Sequence, residues 1–217
     1  ELLGANVSPF VRKVRALCAE KGIDYTLTPV NPFRKTAEFL ALSPLGKIPA
    51  FRDGDASFAD SSVICIYLER RHPAPAMLPA DDVGYCRALW FEEYMDSGFI
   101  PRMGNGIFFP LVVAPVMMSE PVTAEKVAAA EEVLEADIHP MWDYLESQLA
   151  GDWFVGDALT LADIAVASGH LNLRYAGYTP DAARWPGLVA FLERMYARPS
   201  FAALIAEETP DWGARMA

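Results

Sequence analysis

Cysteine is scarce: three in 217 residues, Cys18, Cys65 and Cys86, with no CxxC pair among them. Such a trio builds no disulfide framework. Metal-ligand spacing is missing too, since His72, His139 and His170 are scattered with no second ligand nearby, and no metal site is expected. Positive charge falls short: 18 Lys and Arg against 29 Asp and Glu leave a net charge of −11, the opposite of a phosphate-binding footprint, so no nucleic-acid partner is expected. No stretch approaches about eighteen consecutive apolar residues, and neither a membrane-spanning helix nor a membrane partner is expected. The opening Glu1-Leu2-Leu3-Gly4 lacks the basic segment and cleavage site of a secretory signal. Reduced thiols without a signal read as a cytoplasmic protein. What is present is apolar material, 53% hydrophobic against 22% charged, enough for a core and too much for a disordered chain.

The charge is unevenly placed. Residues 1–80 hold ten Lys and Arg against eight Asp and Glu, and the remainder hold eight against twenty-one. The asymmetry suggests two units with different jobs, the less acidic one being the better host for a small anion. Within it, Leu2-Leu3 reads as a short strand, and Ser8-Pro9 opens a helix with Ser as cap and Pro in the first position. Val11, Val14 and Cys18 keep helical spacing, and Gly22 stops that helix. Residues 25–28 alternate as a second strand, and a short helix covers about 36–42. Asp53-Gly54-Asp55 marks a hairpin between residues 48–51 and 56–59. Ile64, Tyr67 and Leu68 mark a helix from Asp60 to Arg71, so the order is βαβ-αββα. His72-Pro73-Ala74-Pro75 and Pro79 form a break, and the rest reads as helical. The expected organisation is an α/β domain over 1–75, a linker over 76–83 and an all-helical domain over 84–217. In the latter, 81–103 is a long helix, 104–121 is irregular and apolar, and 123–149 is an amphipathic helix kinked at Pro140.

Four short segments carry the chemistry, and each alone also has a structural reading. Ser8-Pro9-Phe10-Val11-Arg12 puts a hydroxyl at a helix N-terminus, where it is either a cap worth about 1 kcal/mol or a donor to an anion such as a thiolate. In Leu45-Gly46-Lys47-Ile48-Pro49-Ala50, Pro49 is either an edge-strand residue or the site of a cis bond that leaves the Ile48 backbone open to an extended peptide. Asp60-Ser61-Ser62 caps the next helix, or grips the carboxylate and ammonium of an α-amino-acid end group. Thr160 and Asp163, with Leu159 and Ile164 beside them, form a capping box with a hydrophobic staple, a structural feature.

Taken in order, Ser-Pro-Phe-Val-Arg-Lys-Val-Arg, Gly-Lys-Ile-Pro-Ala, Asp-Ser-Ser-Val-Ile and Phe-Val-Gly-Asp-Ala-Leu-Thr-Leu-Ala-Asp-Ile resemble cytosolic glutathione transferases across essentially the whole chain. Serine at the first helix is similar to bacterial, serine-type members of the tau-like branch. The resemblance implies a thioredoxin-like βαβ-αββα domain followed by an all-α domain, with glutathione as co-substrate and no metal. Ser8 takes the place of the residue that hydrogen-bonds the glutathione thiolate, with Asn6 as its rival. Ile48 before cis-Pro49 would pair with the cysteinyl backbone. Lys47, and also Lys35, would meet the glycyl carboxylate, and Asp60 and Ser61 would hold the γ-glutamyl end. The family more often carries Glu or Gln where Asp60 stands. Phe10, Met103, Ile107 and Phe108 would line a pocket for a hydrophobic electrophile.

The expected activity is addition of the glutathione thiolate to a small hydrophobic electrophile, in detoxification, by a cytoplasmic homodimer. The alternatives are a non-catalytic binding or regulatory module, or a glutathione-dependent dehalogenase, ether-cleaving enzyme, isomerase or peroxidase on the same fold. Thiol–disulfide exchange is disfavoured because Ser8 stands where such relatives carry cysteine.

Overall fold

Capping residues set the first unit in place. The computed structural model describes residues 1–149 and 151–216. Helix α1 (Pro9–Lys21) starts from Ser8 and closes on Gly22, whose φ of 64° is the left-handed conformation that ends a helix without a Cβ penalty. Four short strands make one sheet: β1 (Leu2–Gly4), β2 (Leu27–Pro29), β3 (Ala50–Asp53) and β4 (Ala56–Ala59), in spatial order β2-β1-β3-β4. β1 runs parallel to β2, and the hairpin strands β3 and β4 run antiparallel to their neighbours. Helix α2 (Ala37–Leu42) starts on a Thr36 cap, and α3 (Ser61–Arg71) starts on Asp60. The order and pairing are those of the thioredoxin-like fold expected above. The second strand begins two residues later than its alternation suggests, although the Thr26 carbonyl still accepts a hydrogen bond from the Leu2 N–H.

Leu3, Phe39 and Ala50 form a buried cluster, with Val30, Leu42, Ile48 and Ala59 packed on it. Val11, Val14, Leu17, Ile64 and Leu68 are buried where α1 packs on α3. Each such side chain contributes roughly 1.5–3 kcal/mol by leaving water. Two compact units divide the chain, Glu1–Leu78 and Pro79–Ala217. Met77 and Leu78, placed in a linker by the sequence, are buried and belong to the first unit.

The second unit is helical: α4 (Asp82–Met118), α5 (residues 124–148), α6 (Leu161–Tyr175), α7 (Pro186–Ala197) and α8 (Pro199–Trp212). The stretch 104–121, read from sequence as irregular, is helical as far as Met118. Its turns are π-helical over Tyr94–Phe99 and Gly104–Val113, and these wider turns accommodate Pro101, Pro110 and Pro115 without ending the helix. They also explain a buried stripe at every fourth residue: Phe91, Met95, Phe99, Met103, Ile107 and Leu111 are all at most 1% exposed. In a pure α-helix a strict four-residue repeat precesses by about 40° per step. The wider turns rotate it back, so a search tuned to 3.6 residues misses the pattern. Pro140 is handled in the same way, by a π turn over Leu134–Ile138 that leads into His139-Pro140.

By length and composition α4 is apolar enough to cross a bilayer, with a window of mean hydropathy 1.3, against the expectation that no such segment exists. Counting consecutive apolar residues missed it because isolated polar residues interrupt the run. The buried stripe gives that hydrophobicity a place in the protein core.

The capping box at the start of α6 is present and fully used. Asp163 accepts from the Phe154 N–H at 2.9 Å, the Thr160 N–H at 2.7 Å and the Thr160 hydroxyl at 2.9 Å. Burial pushes its carboxyl up to about 6, although these three donors favour the ionised form. Asp163→Asn turns one acceptor towards N–H groups as a donor, and should cost about 1–3 kcal/mol in urea unfolding. A carboxyl raised in the folded state loses its proton more readily when unfolded, so stability falls as pH rises between about 4 and 6. The free-energy gap between wild type and Asp163→Asn is therefore expected to narrow over that range; a widening gap would reverse the sign of the shift.

Candidate functional site

Strand register gathers the chemically useful loops. Leu3 pairs with Ala50 and Ala50 with Ala59, while Gly4 lies beside Pro29 in the parallel pair. The chain leaving β1, the chain leaving β2, the chain entering β3 and the chain leaving β4 therefore emerge at one end of the sheet. They carry Asn6 and Ser8, Lys35, Lys47 to Pro49, and Asp60 with Ser61 respectively. All eight residues singled out around the anion-binding segments of this unit are thus brought to the same end. It lies beyond the carboxyl ends of the two parallel strands, where open sheets place their ligands. Both α1 and α3 begin there, so two sets of orphan N–H groups and two positive dipole ends face the same region.

Ser8 is half-buried, and its oxygen accepts from the Val11 N–H at a long 3.5 Å. Its hydroxyl proton has no acceptor among the described residues, so the group can cap the helix weakly and still donate outward. Asn6 uses its side-chain oxygen on the Val7 N–H at 2.8 Å, which leaves its amide nitrogen as a competing donor.

The Ile48–Pro49 bond is cis. Among the described residues the backbone N–H and C=O of Ile48 take no hydrogen bond, whereas the Pro49 carbonyl accepts from the Asp60 N–H at 3.3 Å. An unpaired donor and acceptor on one residue at a sheet end can pair with an extended peptide. Ser43 supports this segment and escaped the sequence reading. Its buried hydroxyl donates to the Lys47 carbonyl at 2.7 Å and accepts from the Lys47 N–H at 3.1 Å. The Ser-Pro-Leu-Gly turn signal around it was the available clue.

Asp60 has φ 109° and ψ 126°, a strained conformation for a residue with a side chain, of the kind that costs about 1–3 kcal/mol and clusters at ligand sites. Its Oδ1 accepts from the Ser62 N–H at 2.9 Å and the Val63 N–H at 3.2 Å, so the cap reading holds. Oδ2 has no partner among the described residues and stays available to a cation. Ser61 beside it is buried at 3% exposure. Lys35 and Lys47 are exposed and neither makes an ion pair among the described residues. The Lys35 stem lies across Gly46: a Cβ added there would sit 2.7 Å from Lys35 Cδ.

Two of the protein's three thiols are shielded from chemistry, while Cys86 on α4 is exposed. Burial pushes Cys18 up to about 12, and Cys65 is buried. The hydrophobic pocket expected from sequence needs correction. Met103 and Ile107 have no exposed surface, because they belong to the buried stripe of α4, and Phe108 is 6% exposed. Of the four residues, Phe10 alone is half-exposed and able to meet a substrate directly.

Two family models match, the glutathione S-transferase N-terminal domain over residues 2–76 and the glutathione S-transferase C-terminal domain over residues 111–208. An uncharacterized GST-like protein of Escherichia coli, YibF, is 32% identical over 93% of this chain and 96% of its own length. A glutathione S-transferase structure from Rhodospirillum rubrum superposes with a TM-score of 0.83 at 26% identity, covering 94% of this chain and 90% of that one. A glutathione S-transferase from Methylobacterium radiotolerans, solved in complex with glutathione sulfonate, is 30% identical with a TM-score of 0.73 over 94% of this chain and 93% of that one.

Gly46 offers a direct check on the loop that presents Lys35 and Lys47. Its φ of 64° is left-handed, so Gly46→Ala should cost about 1–2 kcal/mol in unfolding free energy and displace the Lys35 stem. An unchanged urea midpoint would show that the loop does not hold this conformation in solution.

Proposed function

Because the chain belongs to the glutathione S-transferase family, we propose that it is a glutathione transferase that joins the glutathione thiolate to a small hydrophobic electrophile. The observation that carries this reading is the match between one end of the sheet and the separate parts of the tripeptide. The Ile48 backbone, whose N–H and C=O take no hydrogen bond among the described residues, suits the cysteinyl unit. Asp60 Oδ2, Ser61 and the first turn of α3 suit an end group bearing both ammonium and carboxylate. Lys35 and Lys47, without carboxylate partners among the described residues, suit the glycyl carboxylate. The complex of the Methylobacterium relative with glutathione sulfonate supports the same ligand class.

Activation follows from the Ser8 hydroxyl and the N-terminus of α1. A free thiol titrates near ~8.5, and each unit of depression corresponds to ~1.4 kcal/mol. A hydrogen bond to a charged group supplies about 1.5–3 kcal/mol and a helix terminus about 0.3–1 kcal/mol more, enough for about one to two units. Ser8 donates and stays protonated. The thiolate sulfur supplies the electron pair for the new carbon–sulfur bond, and the electrophile either loses its leaving group with a bonding pair or takes up a proton after addition. Holding both reactants together supplies the rest of the rate. Phe10 is positioned to contact the electrophile. Placement in the serine-type, tau-like branch, a homodimeric state, a cytoplasmic setting and a role in detoxification complete the proposal.

The test is an ultraviolet titration of the thiolate of protein-bound glutathione in wild type and Ser8→Ala. The wild-type thiolate pKa is expected about one to two units below the free value and to return part of the way in the variant, with kcat falling far more than affinity. Equal values in both proteins would transfer the role to Asn6. No saturable thiolate signal at millimolar glutathione would sink the transferase reading in favour of a binding module.

A further inference from the structure

The segment that offers the Ile48 backbone to a ligand hangs from one serine. Ser43 ends α2, its N–H donating to the Phe39 carbonyl at 2.8 Å, and Phe39 belongs to the buried cluster with Leu3 and Ala50. The Ser43 carbonyl accepts from the Gly46 N–H at 2.7 Å, closing a turn with proline second and glycine fourth. Its hydroxyl then reaches past the turn to Lys47, donating to the carbonyl at 2.7 Å and accepting from the N–H at 3.1 Å. Ser43 is 1% exposed, so water does not compete for these bonds.

One hydroxyl thereby holds both peptide units that flank the Lys47 Cα. The second unit bears on binding, because the Lys47 carbonyl and the Ile48 N–H belong to the same peptide. That bond is trans, so its C=O and N–H point in opposite directions. With the carbonyl turned inward to Ser43, the Ile48 N–H is turned away from it and meets no acceptor among the described residues. A peptide whose carbonyl accepts a hydrogen bond is polarised, and its N–H becomes the stronger donor. The hydroxyl therefore sets both the direction and the strength of that donor. Closing the turn does not require it, since the bond from Gly46 to the Ser43 carbonyl already does so.

We propose that Ser43 is a positioning residue for glutathione. It aims the Ile48 N–H at the carbonyl of the cysteinyl unit, and so makes the site select ligands that carry an acceptor there. The inference rests on the glutathione reading above and adds to it a buried residue that acts only through the Lys47–Ile48 peptide.

Isothermal titration calorimetry on the full chain tests this with glutathione and its (E)-alkene isostere, in which a carbon–carbon double bond replaces the cysteinyl–glycyl peptide bond. The isostere keeps the shape and the charged ends of the tripeptide and lacks the carbonyl acceptor. Wild type should prefer glutathione by about tenfold, as expected for a donor left without its acceptor. In Ser43→Ala that preference should shrink to about twofold, with glutathione weakened and the isostere bound as in wild type. Ser43→Cys, which fills the same space with a weaker donor, serves where the alanine variant does not fold. A merely structural role would weaken both ligands alike and leave their ratio unchanged. An unchanged ratio in the folded variant, or equal binding of the two ligands by wild type, would overturn the positioning role with the glutathione reading intact. A wild type that binds neither ligand would overturn the glutathione reading itself, and this proposal with it.

Discussion

The backbone pairing that aligns Leu3 with Ala50 and Ala50 with Ala59 governs the first unit. Strand side chains alternate faces, so a one-residue slip in this register would turn Leu3 and Ala50 out of the core and scatter the loops above them. Because the register holds, four chain segments far apart in sequence end at one edge, with two helix N-termini pointing the same way. Local capping then sets the finer geometry. Ser8 and Asp60 each start a helix within a few residues of a strand end, Thr36 caps α2 after a longer connection from β2, and Ser43 ties down the turn before β3. The proposed glutathione site is a by-product of good helix starts on a correctly paired sheet, with spare donors and acceptors left over at Ser8, Ile48 and Asp60.

The helical unit meets a different constraint. Its longest helix holds three internal prolines at 101, 110 and 115, each without an amide proton. Wider turns absorb them and bring every fourth residue onto one buried line from Phe91 to Leu111. Buried polar groups in this unit are held by dedicated partners: Asp163 takes three donors, and His170 sits between Trp142 and Val166. A buried polar group left without such partners costs more than it contributes.

Much of this was legible before the structure. Ser8, Gly22, the Asp53-Gly54-Asp55 hairpin and the Thr160–Asp163 box are local signals, readable because capping and turn formation depend on residues at most a few positions apart. The stretch 104–121 was misread because its period is neither that of an α-helix nor that of a strand. Met103 and Ile107 were assigned to a pocket because apolar side chains look alike in sequence whether they face a ligand or a core.

Residue types alone were enough for the order of elements in the first unit, the ends of its helices and the family, since these rest on short-range chemistry and on motifs in a fixed order. Strand pairing, which no local window shows, puts Asn6, Ser8, Lys35, Lys47, Ile48, Pro49, Asp60 and Ser61 at one end of a sheet, where the Ile48 backbone takes no hydrogen bond among the described residues. Those facts depend on which strands pair and in what register. Such contacts join residues tens of positions apart, and no local window contains them.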